Sequence, residues 1–237
     1  MSINDLKVKI FADGADLNTM VSMANLNYIK GLTTNPTHMR KAGITDYRAF
    51  AKSVLDEIKL KPISFEVFSD DLNEMKEQAL EISRWAENVY VKIPITNTNG
   101  SSTVEVLEFL VSQKVKVNVT ALLTISQVKS VIRVLDPEVP SYISVFAGRI
   151  ADTGRDPIRI MQESLQIMSE NKNSELIWAS PRELLNVIQA DEINCHIITG
   201  TSDILNKLKL LDKDLAEYSL ETVKMFRDDA VASGYTL

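Results

Sequence analysis

Cysteine is almost absent from the 237-residue chain: Cys195 stands alone, inside an apolar run. One thiol can form no internal disulfide and no Cys-rich zinc or iron–sulfur site, so a cytoplasmic setting is expected. Histidine is nearly as scarce. His38 and His196 make no His-x-His or HExxH pair, which argues against a metal hydrolase and leaves a carboxylate-held Mg²⁺ as the one metal reading still open. His38 reads as part of a turn-like loop after Pro36, and His196, followed by two isoleucines, as a packed core residue. With 8 glycines and no GxGxxG, a Gly-rich phosphate loop is missing too. No apolar stretch reaches the length of a membrane span. The opening Met-Ser-Ile-Asn-Asp-Leu-Lys lacks the apolar region of a secretory signal, so the mature chain is expected to begin near Met1. Positive charge is in deficit: 26 Lys and Arg against 32 Asp and Glu give a net charge of −6, which opposes nonspecific attraction to nucleic acid or an anionic membrane. A phosphorylated ligand would need a local basic pocket.

Apolar residues are plentiful, 45% against 24% charged, enough for a full core. They fall into eight short runs rich in Val and Ile: Val8 to Asp13, Gly31 to Asn35, Ile63 to Phe68, Val89 to Pro94, Val115 to Thr120, Tyr142 to Ala147, Leu176 to Ser180 and His196 to Gly200. From Asp13 to Thr199 the spacing averages roughly 27 residues, close to the ~30 that a strand, loop and helix need. Helix starts separate the runs. Asp71 to Glu74, Ser102 to Glu105, Thr124 to Gln127 and Ser180 to Glu183 each read as a capping box, and Asp156-Pro157 as a cap with Pro at the first helical position. Leu72, Met75, Ala79, Ile82 and Ala86 form one apolar stripe at helical spacing, with Glu74, Lys76, Glu77 and Glu81 on the solvated face. Eight strands, eight crossovers and no composition break predict one α/β domain over residues 1–237: a (β/α)₈ TIM barrel with an extra C-terminal helix, Leu220 to Ala232, that closes the barrel or reaches a neighbouring subunit. A doubly wound open sheet is the alternative.

In such a barrel the strand C-termini form the active face. The polar residues there are Asp13, Thr33, Thr34, Asn35, Glu66, Lys92, Asn118, Thr120, Ser144, Arg149, Ser180, Arg182 and Thr199, a set with one lysine, two carboxylates and two arginines but neither histidine. Lys92 stands inside Val89-Tyr90-Val91-Lys92-Ile93-Pro94-Ile95, where both strand faces should be buried. Burial costs a charged ammonium, and a neutral amine can attack a carbonyl; the plainer reading is a lysine paired with Glu66 or Asp13, or snorkelling at a strand end. Asp13 and Glu66 serve equally as acid or base beside the amine, or as caps and ion-pair partners. Arg149 and Ser180-Pro181-Arg182 follow adjacent strands, where two guanidiniums and backbone N–H groups suit a phosphate; the alternative is surface pairing with Asp152 or Glu183 and, for Ser180, a plain N-cap.

Taken in order, Phe11-Ala12-Asp13-Gly14, Thr33-Thr34-Asn35-Pro36, Val91-Lys92-Ile93-Pro94, Asn118-Val119-Thr120, Ser144-Val145-Phe146-Ala147-Gly148-Arg149-Ile150 and Ala179-Ser180-Pro181-Arg182 resemble the transaldolase family, in its short-chain branch near fructose-6-phosphate aldolase. The resemblance covers nearly the whole chain. It implies a mechanism without cofactor or metal in which Lys92 forms an iminium with a ketose phosphate, Asp13 takes the proton from the fourth-carbon hydroxyl, and Glu66 and Thr120 hold a relaying water. It further implies that Thr33, Asn35, Asn118, Ser144 and Phe146 surround a dihydroxyacetone unit and that Arg149, Ser180 and Arg182 hold the phosphate. Glu66, Phe146 and Arg182 are of the transferase kind, since aldolase-type members carry Gln, Tyr and Lys there. Gly14, where many members have Thr or Ser, and Pro181, where Phe is common, depart from the pattern. Sugar-phosphate substrates and a homo-oligomer are expected, in the pentose phosphate pathway or in carbohydrate biosynthesis. A lyase releasing dihydroxyacetone, a sugar-phosphate isomerase or epimerase with Lys92 purely electrostatic, and a noncatalytic sugar-phosphate sensor are the other readings.

Overall fold

In a computed structural model describing residues 2–237, the eight runs are parallel strands: β1 (Lys9–Asp13), β2 (Ile29–Thr33), β3 (Ile63–Glu66), β4 (Val89–Pro94), β5 (Val117–Leu122), β6 (Ser141–Val145), β7 (Ser174–Trp178) and β8 (Ile197–Thr201). Each pairs with its sequence neighbour, and β8 pairs back onto β1 from Ile197 opposite Lys9 to Thr201 opposite Asp13. The expected (β/α)₈ barrel is therefore the observed fold. The helices are α1 (Leu17–Ala24), α2 (Pro36–Lys41), α3 (Tyr47–Glu57), α4 (Leu72–Ser83), α5 (Val104–Ser112), α6 (Ile125–Ile132), α7 (Ala147–Ala151), α8 (Ile158–Met168), α9 (Leu185–Glu192), α10 (Ser202–Leu205) and α11 (Leu215–Ala232). Among the described residues no helix is long and apolar enough to cross a membrane.

Strand alternation makes two cores. Val89, Val91 and Ile93 of β4 join the large core between barrel and helices, together with the stripe residues Met75, Ala79 and Ile82 of α4. The barrel interior holds a smaller cluster of Phe11, Tyr142, Ile177, Ala179 and Ile197, with Tyr90 and Phe146 packed against it. Tyr90 stacks on Tyr142 with centroids 4.1 Å apart, and Phe11 meets Tyr142 edge-on at 5.6 Å. Burial pushes both hydroxyls above the ordinary tyrosine range, so this plug stays neutral. Gly31 is required beside it, because a Cβ there would lie 2.5 Å from the Phe11 ring.

Local start signals hold at some helices and fail at others. Asp71 accepts from the Asn73 and Glu74 N–H groups, and Thr124 with Gln127 forms the reciprocal box. Ser102 does not cap: α5 opens after Thr103, whose hydroxyl turns away to the Pro94 carbonyl, while Ser102 Oγ reaches only the Val104 N–H. Asp156 accepts from Ile158 N–H, so α8 begins one residue after Pro157. Ser180 is no N-cap either, since its φ is 60° and α9 begins only at Leu185. Its carbonyl presses on α7, where a Cβ on Gly148 would fall 1.6 Å from the Ser180 oxygen, and the chain must turn before a helix can start. α11 begins five residues before the expected Leu220, because Asp214 caps it through the Glu217 N–H. It closes nothing: the barrel is sealed by β8 on β1, and no α11 residue is buried.

Candidate active site

A cavity of about 680 Å³ opens at the C-terminal ends of the strands. Eleven of the twelve side chains singled out in the sequence line it: Asp13, Thr33, Asn35, Glu66, Lys92, Thr120, Ser144, Phe146, Arg149, Ser180 and Arg182. Asn118 does not. It lies one layer down, fully buried, donating to Ser64 Oγ at 2.9 Å and accepting from Ser144 Oγ at 2.7 Å. Its amide thereby sets the direction of the Ser144 hydroxyl.

Lys92 is the only buried lysine among the described residues, with 6% of its surface exposed. In register it stands between Glu66 of β3 and Asn118 of β5, and pleating turns all three inward. Its Nζ lies 3.3 Å from Glu66 Oε2 and donates to the Thr34 carbonyl at 3.1 Å. The ion pair is the arrangement that the plainer sequence reading named, and it leaves the amine facing the cavity rather than sealed beneath it. Tyr47, from α3, fixes the end of β3 by donating to the Glu66 carbonyl at 2.8 Å; burial raises its own hydroxyl well above the ordinary range. Thr120 Oγ1 lines the same cavity, is buried, and has no protein partner among the described residues, so a molecule entering the cavity is what it can bond.

Asp13 is held on both oxygens. Thr33 Oγ1 donates to Oδ1 at 2.8 Å and is itself 2.6 Å from Thr199 Oγ1; on the other side His38 Nε2 lies 2.9 Å from Oδ2. His38 is the site residue that reading strand ends alone leaves out. It belongs to α2 rather than to a turn, and that helix is started by Asn35, whose Oδ1 accepts from the His38 N–H at 3.0 Å, with Pro36 at the first position. The pair Asn35-Pro36 is the signal that finds it: a helix starting directly at the end of β2 must lie across the mouth.

The far wall is cationic. Arg182 bonds the Asp152 carboxylate through Nε at 2.9 Å and through a second, short contact, which holds that carboxyl below its usual range and raises the guanidinium. Arg149 stands over the Phe146 ring at 5.6 Å. Ser180 and Ala121, both on the cavity wall, have φ of 60° and 63°, backbone strain of the kind that gathers at functional sites. Ala121 sits where the pairing of β5 with β6 slips between Val119 and Leu122.

The family model described as transaldolase/fructose-6-phosphate aldolase matches residues 10–236. A "Probable transaldolase" of Dehalococcoides mccartyi is 29% identical over 215 residues, covering 89% of this chain and 96% of that protein. A "Probable transaldolase" of Thermoanaerobacter sp. is 31% identical over 218 residues, 92% of this chain and 95% of the relative. Among solved structures, the aldolase QR15 superposes with a TM-score of 0.54 at 15% identity, covering 88% of this chain and 99% of its own, which shows the barrel fold alone. With the family model spanning all eight strands, the chain belongs to the transaldolase/fructose-6-phosphate aldolase family.

Proposed function

We propose that the protein is a Schiff-base transaldolase that moves a dihydroxyacetone unit from a ketose phosphate, fructose 6-phosphate or sedoheptulose 7-phosphate, to an aldose phosphate. The observation that carries this reading is the single buried lysine, Lys92, facing a cavity with Asp13 on one side and two arginines on another. Glu66, 3.3 Å away, takes the ammonium proton, directly or through a water held with Thr120. The amine then adds to the C2 carbonyl, Glu66 returns the proton to the departing hydroxyl, water leaves, and an iminium forms. Asp13 takes the C4 hydroxyl proton. The C3–C4 bond breaks, its electrons pass into the iminium to give an enamine, and the aldose phosphate departs. A second aldehyde accepts the enamine carbon, Asp13 returns the proton to the new hydroxyl, and hydrolysis frees Lys92. Asn35, Thr33 and Ser144, the last oriented by Asn118, hydrogen-bond the dihydroxyacetone hydroxyls, while Arg149, Ser180 and Arg182 bind the phosphate, which competes with Asp152 for Arg182. A cytoplasmic setting suits a chain whose one cysteine is a buried free thiol.

Transfer is favoured over release because protonating the enamine needs a donor. The Phe146 ring offers none, and an ionised Glu66 is a poor acid. Borohydride reduction with fructose 6-phosphate should fix one dihydroxyacetone-derived mass on the peptide containing Lys92. The three-carbon unit should exchange between sugars faster than free dihydroxyacetone appears, and Phe146→Tyr should narrow that gap. Label on another lysine defeats the mechanism, and free dihydroxyacetone forming at the transfer rate makes the protein a lyase.

We also assign α11 to contact with a second copy of the chain. Leu220, Val223 and Phe226 are all exposed on it, Phe226 to 63%, and an 18-residue helix without tertiary packing is marginal in water. Sedimentation of the full chain, set against Phe226→Ser, tests this.

A further inference from the structure

We infer that His38 is a positioning residue for Asp13: its ring donates to the carboxylate and aims it at the substrate hydroxyl during carbon–carbon bond cleavage. The inference rests on the Schiff-base reading and adds a residue that the strand-end pattern does not contain.

Three observations carry it. The first is the contact, His38 Nε2 to Asp13 Oδ2 at 2.9 Å, made across 25 residues of chain and not needed to build α2, which Asn35 already caps. The second is that among the described residues Asp13 is otherwise secured only by the Thr33 hydroxyl on Oδ1, and Thr33 is shared with Thr199. With one donor removed, the carboxylate pivots about its remaining bond. With both in place, the carboxylate plane is fixed and the one lone pair left on each oxygen keeps its direction toward the substrate. The third is location. His38 and Asp13 together line the main cavity and also a side cavity of about 330 Å³ floored by Met20 and Met23 of α1, so the pair stands in the wall between two open volumes. The His38 side chain is 24% and that of Asp13 20% exposed, so neither is locked by close packing. A hydrogen bond between two such side chains is what holds their geometry.

With hydrogen on Nε2, the ring donates to Oδ2. Asp13 takes the C4 proton on the lone pair facing the substrate as the C3–C4 bond breaks. It keeps both donors, and so returns the proton to the next aldehyde oxygen from the same place. Between the two sugars the proton stays on Asp13.

The test separates the two chemical steps in the full-length protein. His38→Ala should leave the rate of borohydride-trappable adduct formation at Lys92 unchanged, since that step uses Glu66, and should lower kcat for cleavage by about 10- to 100-fold, the scale of losing alignment of one reacting group. KM for the ketose phosphate should stay level, because His38 binds no phosphate. His38→Gln, whose amide N–H reaches to about the position of Nε2, should restore most of kcat, which a merely structural loss would not allow. Unchanged cleavage in His38→Ala, adduct formation and cleavage falling together, or Gln failing where Ala fails each overturn the inference while leaving the Schiff base intact. An unmodified protein that forms no adduct overturns the parent reading, and that result is read without any variant.

Discussion

The two ends of the barrel carry nearly the same side chains. At the C-terminal mouth, His38 meets Asp13 and Lys92 meets Glu66; at the opposite end, His196 stands beside Glu175, which pairs with Lys9 at 2.7 Å. Residue type does not tell these groups apart. What differs is where their bonds end. His196 Nδ1 accepts from the Leu176 N–H at 2.9 Å, so the ring ties the start of β8 to β7, and the Tyr90–Tyr142 stack seals the interior beyond it. At the mouth, the Lys92 bond to the Thr34 carbonyl apart, the bonds run between side chains, they converge on one cavity, and among the described residues Thr120 Oγ1 has no partner there. Bonds that terminate in backbone stabilise a fold; bonds among side chains around an open volume prepare a reaction. The contrast predicts that changes at the mouth cost rate with little stability, and changes at the other end the reverse.

Asp13 gives the largest separation. Asp13→Ala should lower cleavage by on the order of 10² or more, within the range for general acid–base groups, while Lys92 still forms a trappable adduct and the melting temperature holds. Turnover within a few-fold of the native rate would make Asp13 an anchor for Thr33 and His38 only, and the two ends of the barrel would then be alike.

How much of this contrast could be read in the sequence depends on the element that carries each group. Lys92 was legible because a lysine amid Val89, Val91 and Ile93 has only one inward face to occupy, and the period of two decides it. Glu66 is legible as the polar residue that ends its apolar run, whereas its place beside Lys92 comes from register, which no single strand contains. Asn118 shares that register yet is kept from the cavity by one hydrogen bond to Ser64, a depth that pleating alone does not specify. His38 is hidden for another reason: α2 is only 6 residues long, too short for periodicity to register, and its cap, Asn35, reads in the sequence as a ligand. The Ser180 turn is not legible, because the close approach of Gly148, far along the chain, overrides the local capping pattern.

The cationic wall should give an intermediate effect. Arg149→Ala and Arg182→Ala should each raise KM for phosphorylated acceptors about 10-fold or more, one charge-assisted contact being worth about 1.5 to 3 kcal/mol. Acceptors without phosphate should be nearly unaffected. Losing Arg182 also frees Asp152, but that pair is half exposed and its removal should scarcely move the melting temperature. Equal losses for both acceptor types would place the phosphate elsewhere in the cavity.

The smallest effect lies at the far end, and it completes the contrast because it should appear in stability alone. Burial holds the His196 imidazole below the ordinary histidine range, against the pull of Glu175 and with a further push from Lys9. Protonating Nδ1 would also take the acceptor away from the Leu176 N–H. The folded protein therefore binds this proton only at a pH lower than the unfolded chain does. Between the two values the unfolded state holds more protons, so stability rises with pH there and is lost as pH falls below about 6.5. His196→Ala should cost about 1 to 3 kcal/mol at neutral pH by leaving the Leu176 N–H unpaired, or roughly 2–4 °C in melting temperature for each kcal/mol in a chain of this size. His196→Asn keeps an acceptor near Nδ1 but cannot titrate, so it should retain most of that stability and lose less than the native protein between about pH 7.5 and about pH 5.5. Both variants should transfer the three-carbon unit at the native rate at neutral pH, in contrast to every change at the mouth. A His196→Asn melting curve that tracks the native one across this range would assign the acid sensitivity to other groups, and a loss of kcat in either variant would show that the two ends are coupled through the Tyr90–Tyr142 stack that separates them.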